Sequence, residues 1–507
     1  MKKSRSKKAM LNTAFELLLE VVTAVCSFIL PRLILSHFGS TYNGITSSIT
    51  QFIGCVSLLK SGIGSVTRAA LYKPLADNDS KGISEIANAT SGFMKRIAVI
   101  FSVAILGFAA LYPFLVSEDF TWLFSFTLVL ILSISTFAQY FFGLTYQMVL
   151  QADQRNYLIS SVNIGTTILN TIIASIMILM GFGIHAVKLG SAIVFIIPPI
   201  FYNIYVRKTY KIDSAIKPNY KLIDQRWDAF GHQIANFINT NTDIIVTTVF
   251  LGVREVSVYS IFNMVGSAVK KFVIAIGSGT TAAFGNMIAK EESDILEKRF
   301  RQFEILIYYV STILLTVTAV MFIPFIRIYT SGITDVNYIR PVFGYLVALS
   351  VYFACIKIPY EHIVYAAGEF KNTRNGAFIE AAINIVISVV LVNLIGLNGV
   401  IIGTIVAIAY RTIRYHLFIC DNIIKRNKYG ILKLFLFTAM TVGCTYIIIQ
   451  LVDLSSIDGF ALWVLWAVII VFLVTAIATG LGFILFKKDM KDTINIVLST
   501  FKIAKRR

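Results

Sequence analysis

The residues here that could do chemistry are charged side chains set inside long apolar runs. An ionised group near mid-membrane costs roughly 2.5–3.5 kcal/mol on insertion scales and normally faces a cavity or a partner. Lys60 falls in the inward half of one run, and Lys270-Lys271 fall near the middle of another. Helix neighbours point about 100° apart, so only one of Lys270 and Lys271 faces a central cavity squarely. The chemistry on offer is anion binding, with snorkelling to the membrane surface as the competing reading for Lys60. Arg32, beside Pro31 at the outer end of the first run, is either a further cation for an anion site or an interfacial anchor. Lys357 has Glu361 at i+4, a spacing that neutralises it locally.

The acidic candidates are fewer. His232, Asn236, Asn239, Thr240, Asp243 and Thr247 recur at helical spacing, a polar stripe that should line water or another polar helix. Asp243 in that stripe is either the partner of an opposed lysine or a proton or sodium site. Glu16 and Glu20 form a like-charged i, i+4 pair, unfavourable unless one is protonated or a cation bridges them. Their structural reading is partnership with lysines of neighbouring helices. The cysteines Cys26, Cys55, Cys355, Cys420 and Cys444 show no paired spacing, so neither a zinc site nor a disulfide framework is indicated. No resident cofactor is expected, and coupling to protons or sodium ions is the one ion-linked role left open.

The elements that hold these residues are membrane helices. Of 507 residues, 57% are hydrophobic and 14% charged, which excludes a water-soluble fold. Apolar runs of about twenty residues or more recur from Leu11 to Phe486, each long enough to cross a bilayer core as a helix. The spans fall near 11–35, 43–67, 97–116, 121–147, 157–180, 184–206, 229–251, 256–283, 303–326, 341–366, 376–395, 398–420, 431–452 and 460–486. This predicts an all-α polytopic membrane protein of about fourteen transmembrane helices. The net charge of +18 is mostly topology. Lys and Arg concentrate in alternate connections, whereas segments such as Ser117-Glu118-Asp119 and Val452 to Gly459 carry almost none. The positive-inside rule then places both termini in the cytoplasm. The basic surface suits anionic membrane lipids, and nucleic acid is not an expected partner.

The chain also resembles itself. A shift of 213 residues aligns Gly39 with Gly252, Ser47 with Ser260, Gly64 with Gly277, Thr67 with Thr280, Ala69-Ala70 with Ala282-Ala283, and Ala76 with Ala289. The same shift pairs Gly183 with Gly396, Gly190 with Gly403 and Tyr202 with Tyr415. A 216-residue shift pairs Asp153, Arg155 and Asn156 with Glu369, Lys371 and Asn372. The expectation is two six-helix bundles, 1–206 and 227–420, joined by a cytoplasmic linker, 207–226, with two extra helices and a basic tail in 421–507. Even numbers of spans per bundle predict a pseudo-two-fold axis along the membrane normal. Pro31, Pro198-Pro199, Pro324 and Pro359 lie within or at the ends of spans and free backbone groups there.

On these features the sequence resembles the polysaccharide flippases of the multidrug/oligosaccharidyl-lipid/polysaccharide superfamily over nearly its whole length. The resemblance is carried by the two-by-six-plus-two layout, the Phe38-Gly39 turn, Ser61-Gly62-Ile63-Gly64, and the turn Gln151 to Asn156. It implies a bacterial cytoplasmic-membrane protein that moves an undecaprenyl-pyrophosphate oligosaccharide to the outer leaflet by alternating access, without covalent chemistry. The related lipid II flippases bind a lipid pyrophosphate through cationic residues of the first, second and eighth spans. By position that implies Arg32, Lys60 and Lys270 or Lys271 here, with Arg32 lying farther outward than such a site needs. The implied partners are the lipid-linked oligosaccharide, membrane lipids and other polysaccharide-assembly proteins. The alternatives are a cation-coupled multidrug and toxin extrusion antiporter, a lipid II flippase, and a non-transporting scaffold. A membrane polymerase or ligase would need a substantial outer domain, and the outer connections are too short to fold one.

Overall fold

The computed structural model describes residues 2–56, 63–117, 119–220, 230–277, 280–452, 454 and 457–505, with the backbone alone at 2–7, 9, 56, 65, 230–240, 282, 370–371, 488 and 490–505. Among the described residues the chain is entirely helical, and twelve helices are long and apolar enough to cross a membrane. The two remaining segments of the fourteen read from sequence are described only in part. In the second span, 43–67, the described residues form a helix up to Val56 and another from Ile63. The seventh has an apolar described part of only Asn241–Leu251.

Two compact units make up the chain, Met1–Ser260 and Ile261–Arg507. The first unit contains α1 (Lys2–Phe38), α2 (Ser40–Val56), α3 (Ile63–Asp77), α4 (Ser80–Leu111), α5 (Trp122–Ala138), α6 (Leu144–Ala152), α7 (Asn156–Leu179), α8 (Ile184–Val194), α9 (Ile197–Tyr210), α10 (Phe230–Leu251) and the start of α11 (Val253–Gly277). A fully buried apolar group, including Ile45, Ile49, Phe101, Leu128 and Tyr140, ties α2, α4 and α5 together. Polar contacts also cross its helices. Asn43 Nδ2 donates to Ser257 Oγ at 2.8 Å, and Tyr112 OH donates to Ser48 Oγ at 2.9 Å. Gly44 allows the closest approach, since a Cβ there would lie 1.7 Å from the Val253 carbonyl oxygen.

The second unit contains the rest of α11, then α12 (Thr280–Ala289), α13 (Ser293–Tyr329), α14 (Pro341–Ile356), α15 (Ile358–Ala366), α16 (Phe370–Ile395), α17 (Leu397–Asn422), α18 (Gly430–Ile449) and α19 (Phe460–Lys505). Its core is aromatic, with Phe300, Tyr308 and Tyr360 essentially inaccessible. The helices α18 and α19 pack on α13, where Tyr309 and Thr479 share a 2.6 Å hydrogen bond.

The backbone repeats more clearly than the side chains. Left-handed φ angles recur at Gly39 (87°) and Gly252 (81°), at Asn78 (53°) and Glu291 (57°), at Gln154 (57°) and Gly368 (71°), and at Lys211 (51°) and Lys425 (53°). The first two pairs are 213 residues apart and the last two 214. The turn after α6 therefore matches the turn after α15 in a 214-residue register, two residues from the 216-residue alignment read in the side chains. Helix ends Ala152 and Ala366 keep that register, and backbone geometry overrides the charge similarity used to choose the other one. The prolines divide into two classes. Pro31 and Pro324 sit inside unbroken α1 and α13, while Pro198-Pro199 and Pro359 open α9 and α15 directly after helix breaks.

Candidate functional site

The break between α14 and α15 arises because Pro359 has no N–H to return to the Cys355 carbonyl, and Lys357 sits in that break. Its Nζ lies 3.3 Å from Glu380 Oε1 on α16. Glu380 is 3% exposed, and its Oε2 lies 3.6 Å from Arg411 Nε on α17. Arg411, 4% exposed, donates to the Thr373 carbonyl at 2.8 Å and to Tyr415 OH at 2.7 Å, with its guanidinium 4.0 Å from the Tyr415 ring centroid. Gly376, one turn before Glu380, leaves the room this requires, because a Cβ there would lie 2.2 Å from Arg411 Nη1. Glu361 accepts from Tyr365 OH at 2.7 Å rather than forming the direct partner of Lys357 that the i+4 spacing suggested.

Lys270 on α11 belongs to the same cluster. It is half-buried and within electrostatic reach of Lys357, Glu361 and Glu380, yet it forms no ion pair among the described residues. Lys357 and Arg411 engage Glu380, and Lys270 lies within electrostatic reach of that group, so three cations stand near two carboxylates, Glu361 and Glu380. In a low-dielectric setting, a third anion is the natural complement of such a set. Lys271, the next residue, is exposed.

The remaining sequence candidates are distributed differently. Lys60, with Ser61 and Gly62, lies outside the described residues, as do the side chains of His232, Asn236, Asn239 and Thr240. Asp243 is 6% exposed and accepts from Tyr259 OH at 2.6 Å. Glu16 and Glu20 lie on an exposed face of α1, and Arg32 is half-buried in the same helix.

A second buried ionic group was not visible in the sequence. Arg426, between α17 and α18, is bidentate on Glu304 at 2.5 and 2.6 Å, and Glu304, 3% exposed, also accepts from Tyr360 OH at 2.7 Å. Burial opposes the Arg426 charge, but its bonds to Glu304 outweigh this and raise its pKa further. Phe300 stacks beneath the guanidinium at 4.8 Å, and His416 caps the loop by pairing with the Lys428 carbonyl at 2.9 Å. With every oxygen of Glu304 engaged, this group holds helices rather than ligand.

No family model and no curated protein sequence matches the chain. Solved structures do. The lipid II flippase MurJ in an inward closed conformation superposes with a TM-score of 0.70 at 16% identity, covering 94% of this chain and 99% of that one. The chain has the MurJ fold. This MurJ-like architecture also extends to an inward-facing MATE multidrug resistance transporter of the MOP superfamily, with TM-score 0.59, 13% identity, and 78% and 95% coverage. The Vibrio cholerae MATE transporter VcmN follows at TM-score 0.51 and 19% identity, covering 84% of this chain and 99% of its own. The MurJ comparison accounts for 94% of the chain, whereas the MATE comparisons leave more of it unmatched.

Proposed function

We propose that the chain is a flippase that moves an undecaprenyl-pyrophosphate-linked oligosaccharide from the inner to the outer leaflet of a bacterial cytoplasmic membrane. The observation that carries this reading is the cationic excess at mid-span, where Lys270 adds a third positive charge to two carboxylates already engaged by Lys357, Arg411 and Tyr365. A pyrophosphate supplies the missing anion, and Lys60, with Lys271 and Arg32 as further cations, completes the proposed contact set. A polar head must cross about 30 Å of hydrocarbon, and alternating exposure of a cationic, wet cleft lowers that barrier without bond chemistry. The reading takes the two helical halves to be 1–206 and 227–420, with the 207–226 linker and both termini cytoplasmic. It assigns no catalytic residue.

A cation-coupled antiporter is the second reading, and the buried Asp243 favours it. In the flippase reading the same carboxylate, with the stripe of Asn236 and Asn239 and the Glu16 and Glu20 pair, couples transport to protons or sodium ions. Deletion of the gene, followed by analysis of lipid-linked glycans, separates the two. The flippase reading requires a glycan-bearing undecaprenyl pyrophosphate to accumulate on the inner leaflet. Unchanged lipid pools together with sensitivity to cationic drugs would favour the antiporter.

A further inference from the structure

Within the first unit, α1, the rod formed by α5 and α6, α7, and the rod formed by α8 and α9 line an open cavity of about 450 Å³. That volume lies within the range of small-molecule sites. Two local irregularities open it. A π-helical turn, Gln139–Gly143, joins α5 to α6, and Pro198-Pro199 supply no N–H to the carbonyls of Val194 and Phe195. Gly143 then lets the rods meet, since a Cβ there would lie 2.5 Å from Pro199 Cβ.

The lining mixes polar and apolar groups, and among the described residues no Asp, Glu, Lys or Arg contributes to it. Gln139 and Gln147 line the cavity within an otherwise apolar span, yet neither side-chain amide forms a hydrogen bond among the described residues. Asn163 accepts from Tyr202 OH at 3.1 Å, which leaves its NH2 group available. Thr167 also lines the wall, and its hydroxyl forms no hydrogen bond among the described residues. Its neighbour Thr166, by contrast, returns a 2.6 Å bond to the Val162 carbonyl. Side-chain amides without partners are expensive in hydrocarbon, so a hydroxyl-rich ligand or water must meet them.

The chemistry of the lining selects among ligands. A diphosphate needs cationic donors and a metal ion needs a cage of carboxylate or carbonyl oxygens, and neither is present in the lining side chains. An apolar ligand would leave the amides unsatisfied. A sugar matches both kinds of wall, with hydroxyls for the amides and its C–H face for Phe195 and Tyr202. We infer that this cavity binds an uncharged sugar of the transported glycan through Gln139, Gln147, Asn163 and Thr167. The inference rests on the flippase reading and adds a glycan site to it, separate from the cationic cluster.

The test uses full-length protein in nanodiscs and two probes, undecaprenyl pyrophosphate bearing a neutral trisaccharide and undecaprenyl pyrophosphate alone. Wild type should bind the glycosylated probe at least about tenfold more tightly, the scale of one or two satisfied polar groups. Gln147→Leu with Asn163→Leu should abolish that preference while keeping affinity for the bare lipid, and Lys270→Ala should weaken both probes alike. Gln139→Leu breaks no side-chain hydrogen bond among the described residues and carries the test if the double variant does not fold. Equal binding of both probes by wild type, or an undiminished preference in Gln139→Leu and the double variant, overturns the glycan site. Failure of wild type to bind either probe overturns the flippase reading itself.

Discussion

Lys357 and Glu380 meet at 3.3 Å across the break between α14 and α15, although 23 residues separate them in sequence. Arg411 approaches the other carboxylate oxygen, so Glu380 is the hub of a buried ionic group. Glu380→Gln should destabilise the protein by about 3–5 kcal/mol, because two buried cations lose their counter-charge together. Thermal unfolding in detergent measures this. Adding Lys357→Met to Glu380→Gln should recover part of the loss, and no recovery would mean that Lys357 is compensated elsewhere.

Arg426 and Glu304 make the corresponding prediction for the loop between α17 and α18. Arg426→Lys cannot keep both parallel bonds, and it should cost roughly 1.5–3 kcal/mol in the same assay, whereas Lys428→Ala at the exposed Asp421 pair should change little. Equal effects from the two variants would remove the buried pair from its structural role.

The repeated left-handed backbone gives a prediction about pairs of positions. Gly39→Ala and Gly252→Ala should each lose about 1–2 kcal/mol, because both φ values lie above 80°. Glu291→Gly and Lys211→Gly should instead gain up to about 1 kcal/mol by relieving a side chain held at positive φ. The same gain is expected at their partners, Asn78→Gly and Lys425→Gly.

How much of this could be read in advance depended on range. Apolar runs and the 213-residue register were visible because each is carried by many residues. Lys270 stood out, with Lys271, because the two fall near the middle of an apolar run. Glu380 did not, because it lies near the start of its apolar run and resembles a flanking charge, and Arg411, although inside its run, has no charged neighbour at helical spacing except Arg414 to draw notice. Glu304 and Arg426 are separated by 122 residues, and helical spacing reports only partners three or four positions away. That same local rule paired Lys357 with Glu361, which stays within electrostatic reach, and tertiary packing adds Glu380 as the direct partner. The cavity beside Gln147 depends on a π-helical turn, which no hydropathy pattern announces.

Asp243 separates ion coupling from folding. Asp243→Asn keeps an acceptor for Tyr259 OH and should preserve abundance while reducing flux under an imposed proton or sodium gradient. Full flux at every gradient would exclude Asp243 as the coupling group.

Topology is open to cysteine labelling in a background lacking the five native cysteines. Sites in 207–220 and near both termini should react from the cytoplasm, and Ser117 and Phe120 from outside. Termini that label from opposite faces would break the even number of spans.

If cations at mid-span recognise a lipid pyrophosphate, the initial rate of oligosaccharide-lipid flipping in proteoliposomes depends on them. Lys270→Ala should lower that rate at least tenfold with protein abundance near wild type, because Lys270 has no ion-pair partner among the described residues to orphan. Lys270→Arg should retain part of the rate. An unchanged rate in the Lys60→Ala, Lys270→Ala, Lys271→Ala triple variant would contradict the account and leave the fold without its proposed mechanism.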